Sequence, residues 1–162
     1  MVAAARHGEV RSVALGRRKW GILTLGGVGF ATAGIAVLPW FIRTIGPRHR
    51  LGSSFIETFD TSAGARAFYV LIVAALVGVA FFAMSDPGRI SSWAGIVLAA
   101  VMLADGSWKM AEVMNAPAPT DILIGPGYYA LMAGSAAVLV SSIMLLVGTY
   151  RRTHSPINES VG

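Results

Sequence analysis

Long uncharged runs alternate with short polar segments along this chain. The first run, "WGILTLGGVGFATAGIAVLPWFI", covers Trp20 to Ile42 without an ionisable side chain. As a helix at 1.5 Å per residue it would extend roughly 30 to 35 Å, enough to cross the hydrocarbon core of a bilayer. A polar segment from Arg43 to Arg66 follows, then a second run, "AFYVLIVAALVGVAFFAM", from Ala67 to Met84. The order Asp86-Pro87-Gly88 marks a tight turn. A third run starts near Trp93, and a fourth, "GPGYYALMAGSAAVLVSSIMLLVGTY", occupies Gly125 to Tyr150. The pattern predicts an all-α polytopic membrane protein built as an antiparallel four-transmembrane-helix bundle, since each loop is short enough to join neighbours. Its spans are expected at about 20–42, 67–84, 92–113 and 126–149, between a basic tail, 1–19, and a C-terminal tail, 151–162.

The third run breaks the pattern. Its uncharged part ends at Ala104, yet a span starting at Trp93 needs about 20 residues and is expected to reach roughly Glu112. Asp105, Lys109 and Glu112 therefore fall on the last turns of a membrane helix. Lys109 stands four residues after Asp105, the better order for a helical ion pair, and Glu112 can share it. Two readings compete. In one the three residues form a self-neutralising helix end that reaches for water. In the other, Asp105 is a buried acid used for ion coupling or for holding a basic partner.

Composition supports the membrane reading. Of 162 residues, 55% are hydrophobic and 13% charged, more apolar surface than a soluble domain of this size could hide. The 19 glycines suit membrane helices, where small residues let backbones approach. Small residues recur four apart at Gly27 and Ala31, Gly29 and Ala33, Ala74 and Gly78, Gly95 and Ala99, and Ala130 and Gly134. These pairs make Gly27, Gly29, Gly78, Gly95 and Gly134 the expected packing glycines. The four tryptophans, Trp20, Trp40, Trp93 and Trp108, all fall at predicted span ends and are expected to anchor them at the headgroup level.

The net charge of +5 reads as topology and not as a nucleic-acid surface. Placing both termini and the Asp86 turn on one side gives that side 8 of the basic residues and leaves 5 on the other. The positive-inside bias then predicts a multi-pass protein of the bacterial plasma membrane with both termini cytoplasmic. The opening "GRRKWGILTLGG" has the look of a twin-arginine export signal, but the apolar run continues past it to Arg43, as an anchor would.

Candidate chemistry is thin. His7, His49 and His154 are spread over both sides of the predicted membrane, too far apart to converge on a metal. No carboxylate pair recurs at one depth, and no Ser has a His within reach. The expectation is a non-enzymatic protein with no catalytic residues, cofactor or metal.

A basic tail, a first span ending in Trp, a loop ending "TSAGAR", a charged "WKMAEVMNAP" and a fourth span opened by "IGPGYYALMAG" together set the layout. That layout resembles small four-span membrane proteins of actinobacteria, mycobacteria in particular. The resemblance implies an accessory or assembly subunit of an envelope complex, including Mce-type lipid importers, with membrane lipids and other integral membrane subunits as partners. The alternative is a small homo-oligomeric transporter or channel that uses Asp105 for ions or protons.

Overall fold

A computed structural model describes residues 2–45, 49–54, 63–85, 88–115 and 122–153. The chain is mostly helical. Four helices, α1 (Val2–Ala36), α2 (Ala63–Ser85), α3 (Arg89–Asn115) and α4 (Pro126–Thr153), are joined by a small sheet of β1 (Pro39–Ile45), β2 (His49–Ser54) and β3 (Ile122–Ile124). Three segments are long and apolar enough to cross a membrane: Ala67–Ser85, Arg89–Asn115 and Pro126–Tyr150. Of the expected features, Asp86 and Pro87 of the turn and the tail from His154 onward lie outside the described residues.

Two expectations are corrected at the first run. The helix does not begin near Trp20 and does not reach Ile42; α1 starts at Val2, taking in the basic tail, and ends at Ala36. Pro39 is the cause. Proline has no N–H to continue the ladder, and it pushes the preceding Leu38 out of the helical region. The Ala33 carbonyl accepts from both Val37 N, 3.0 Å, and Leu38 N, 2.9 Å, which closes the last turn. The uncharged part of α1, Trp20 to Ala36, is 17 residues, or about 25 Å of helix. Beyond Leu38 the chain continues as strand, so a small sheet, not expected from the sequence, accompanies the mostly helical fold. Ile42, Thr44 and Ile45 are β-branched and suit the pleat.

The sheet is antiparallel, in the order β2-β1-β3. Ile42 pairs with Gly52 on one side and Leu123 on the other. A bulge interrupts β1 between Pro39 and Phe41. It sets Trp40 and Phe41 both inward, which a regular strand, alternating its faces, would not do.

Contacts between helices fix their directions. From Thr24 through Gly27 to Gly34, α1 meets α4 at Ser141, Gly134 and Leu131 in reverse order. Tyr69 meets Asp105, and Gly95 approaches Val79, so α2 and α3 also run antiparallel. Gly95 lies against Ser142 and Gly106 against Met132, which does the same for α3 and α4. Each helix thus packs on its neighbours in chain order, with α1 closing against α4 over the largest contact. The buried face of α3 is Ser92, Gly95, Ala99, Met102, Gly106 and Met110, spaced three or four apart as one side of a helix.

Close approach is concentrated at a few glycines. A β-carbon at Gly134 would lie 2.5 Å from the Gly27 carbonyl oxygen, and one at Gly27 2.8 Å from the Gly134 carbonyl oxygen. Gly95 is pressed against the Ser142 side chain. Gly29 and Gly78, expected to pack in the same way, face open space, with nothing within 4 Å of a would-be β-carbon. They sit on outward-turned parts of α1 and α2, so the small residue there does not serve contact within this chain.

Candidate functional site

The end of the molecule that carries the sheet holds both the polar cluster and the buried aromatic packing around Trp40. Trp40 organises it. Its side chain is fully buried, correcting the expectation of a headgroup anchor. Because Leu38 N bonds to Ala33, the Gly34 carbonyl has lost its helical donor, and the Trp40 indole Nε1 supplies one at 2.7 Å. An orphan helix-end carbonyl is thereby satisfied by a side chain from the following strand. The Trp40 ring meets Tyr128 edge-on at 5.6 Å between centroids. It also lies over Gly127, where a β-carbon would come within 2.7 Å of the indole. The Trp40 carbonyl accepts from Gly125 N at 2.6 Å.

The "IGPG" stretch has a physical account in this packing. Ile124 ends β3 opposite Phe41, Gly125 passes against the Pro39 carbonyl, Pro126 starts α4 where a missing N–H costs nothing, and Gly127 leaves room for Trp40.

Asp105 lies one residue before Gly106, whose backbone approaches Leu131, Met132 and the far edge of the Trp40 ring. The Asp105 carboxylate is half-buried and accepts a hydrogen bond of 3.1 Å from the Tyr69 hydroxyl on α2. Tyr69 is itself buried. The expected Asp105–Lys109 pair is not formed. Lys109 Nζ instead pairs with Glu112 Oε2 at 3.2 Å. The direction explains the choice. A lysine near a helix end gains by extending toward water, and Glu112, 60% exposed, is the wetter acid. Asp105 turns toward the neighbouring helix, where a neutral donor satisfies it without bringing in a second charge to desolvate. The side chains of Arg43 and Arg66, which bound the polar segment between the first two runs, lie outside the described residues.

The remaining tryptophans differ from Trp40. Trp93 and Trp108 are exposed and Trp20 is half-buried, so all three present ring surface outward. At the opposite end, where Gly88 immediately precedes α3, the Arg89 guanidinium lies over the Tyr150 ring, 4.1 Å from its centroid. Midway, the Thr24 hydroxyl meets Ser141 Oγ at 2.8 Å across the α1–α4 contact.

Tyr69 is the residue that sequence reasoning missed, and a signal for it was present. Tyr69 stands 18 residues before Pro87 and Asp105 stands 18 after it, so a tight turn there makes them partners across a helical hairpin. Val79 and Gly95 obey the same rule at 8 residues. No protein-family model matches the chain, and a search of curated proteins finds no significant match either.

Proposed function

We propose that this chain is a non-enzymatic membrane subunit that crosses the plasma membrane four times, with both termini cytoplasmic, and joins a larger envelope complex through its outer, sheet-bearing end. The single observation that carries the reading is the sheet itself. A three-stranded sheet is clamped to the end of α1 by Trp40 and exposes Leu123 and Ile124 on its edge strand β3. Among the described residues β2 and β3 are its two edges, a form of surface that pairs readily with another chain.

Four crossings are supported by register. α1 lies along α4 from Ser141 to Leu131, through the middle of a helix that is itself long and apolar enough to span. The tail with Arg6, Arg11, Arg17, Arg18 and Lys19 supports the orientation. An accessory role in an Mce-type lipid importer is the specific form suggested by the layout of tail, spans and loops.

The test is purification in mild detergent followed by identification of co-purifying proteins. A stoichiometric larger complex that dissociates when Leu123 and Ile124 are changed to Ser is the expected result. A chain that elutes alone as a homo-oligomer, with native lipid present, overturns it.

A second reading keeps one specific observation: Asp105 is half-buried and bonded to a neutral hydroxyl. In that reading a homo-oligomer moves ions or protons through Asp105. Proteoliposomes decide, since flux abolished by Asp105→Asn in a folded protein would establish it, and absence of any flux would remove it.

A further inference from the structure

At the end of the molecule away from the sheet, α2 and α3 part near their turn and leave an open groove of about 380 Å3. Its lining includes Ala75, Gly78 and Phe82 of α2 and Ile90 and Ala94 of α3. A second, wider hollow of about 620 Å3 shares Ile90 and Ala94 and continues across α3 to Trp93, Arg89 and Tyr150. The two lie side by side on α3, lined mostly by apolar side chains, with one cation, Arg89, in the second.

The cation is held in place. Arg89 stacks on Tyr150, and among the described residues no carboxylate pairs with it. A guanidinium held over a ring still has N–H groups to donate, and its fork matches phosphate oxygens in a bidentate way that an ammonium cannot. Arg89 is also the first residue of α3, where the helix dipole adds partial positive charge. Phe82 and Ile90 are exposed apolar side chains, so the groove is continuous with the outer apolar surface of the helices.

We infer that this pair of hollows binds one anionic phospholipid of the adjoining leaflet, its phosphate on Arg89 and one acyl chain laid in the groove against Gly78. The inference rests on the membrane-spanning reading and does not depend on the accessory-subunit one. Charge selects the occupant: Arg89 at one end of a mostly apolar lining calls for a molecule that is apolar over most of its length and anionic at one end. Ordered water needs polar partners that these walls do not offer.

The groove can be filled without touching the fold, because nothing lies within 4 Å of a β-carbon at Gly78. The experiment uses the full chain, extracted from membranes in mild detergent, delipidated, and titrated with phosphatidylglycerol, phosphatidylcholine or inorganic phosphate. Bound lipid is counted by native mass spectrometry and thermal stabilisation is read in parallel. Phosphatidylglycerol should be retained in preference to phosphatidylcholine by about five-fold, the share of one basic side chain near a headgroup. Arg89→Gln should abolish that preference and Arg89→Lys keep part of it. Gly78→Phe should weaken retention of both lipids while eluting as the unaltered protein does. Equal retention of the two lipids, or a Gly78→Phe variant that binds as before, would overturn the assignment. Stabilisation by inorganic phosphate equal to that by phosphatidylglycerol would overturn it too, since the acyl groove would then contribute nothing. If no lipid is retained and Gly78→Phe instead loses a co-purifying protein, the groove belongs to a protein and the inference fails. A chain recovered without membranes would show at the extraction step, and would refute the membrane reading itself.

Discussion

Asp105 has a cation four residues along its own helix and a hydroxyl on the next helix, and it takes the hydroxyl. The consequence is measurable. Tyr69→Phe and Asp105→Ala should show a coupling of about 0.5 to 2 kcal/mol in a double-mutant cycle of unfolding in detergent, because either change alone already removes the hydrogen bond between them. Asp105→Asn and Lys109→Gln should be additive within about 0.5 kcal/mol. Coupling to Lys109 in place of Tyr69 would reverse the assignment. A second residue-scale prediction concerns Trp40. Trp40→Phe keeps most of the ring packing but removes the donor to the Gly34 carbonyl, and should cost about 1 to 3 kcal/mol, the range for stranding a buried polar group. No loss of stability on that change would mean that the carbonyl finds another donor. Of the polar cluster, the spacing of charges was legible in the sequence and the partner choice was not. Helical spacing places side chains on one face, whereas the contest between an ion pair and a neutral donor is settled by the neighbouring helix.

Among the elements, α2, α3 and α4 were legible to within about four residues because long apolar runs mark them, interrupted only in α3 by the charges from Asp105 onward, and turn residues or Pro126 flank their ends. The end of α1 was not. An uncharged run says that a segment avoids water, and a buried strand satisfies that as well as a helix does. Pro39 was the local sign that separated them, and its weight depends on what the freed carbonyls can bond to. Glycine patterns divide for the same reason: spacing by four marks a face, but only the fold decides whether that face meets another helix. Gly134→Leu should therefore collapse the α1–α4 contact, costing upwards of about 1 to 3 kcal/mol, whereas Gly29→Leu should leave thermal stability within about 0.5 kcal/mol. Equal losses for the two would end the distinction.

For the whole molecule, the chain has no cysteine, so single-cysteine labelling reads topology without background. Gly64 and Gly88 are the sites of choice, exposed and with nothing within 4 Å of a β-carbon. A membrane-impermeant reagent should label Gly64→Cys in intact cells and Gly88→Cys only after lysis; the reverse pattern would invert the orientation. The architecture has a mechanical side as well. Trp40 is pinned to the last turn of α1 by its indole, to Tyr128 of α4 by its ring and to the strand by its backbone, with Gly106 of α3 beneath its far edge. The sheet therefore cannot tilt on its own: a load applied at β2 or β3 passes straight into three helices. It acts as a handle on the bundle and not as a tassel hung from it, and the amides of β1 should exchange with deuterium only as slowly as the final turn of α1 opens.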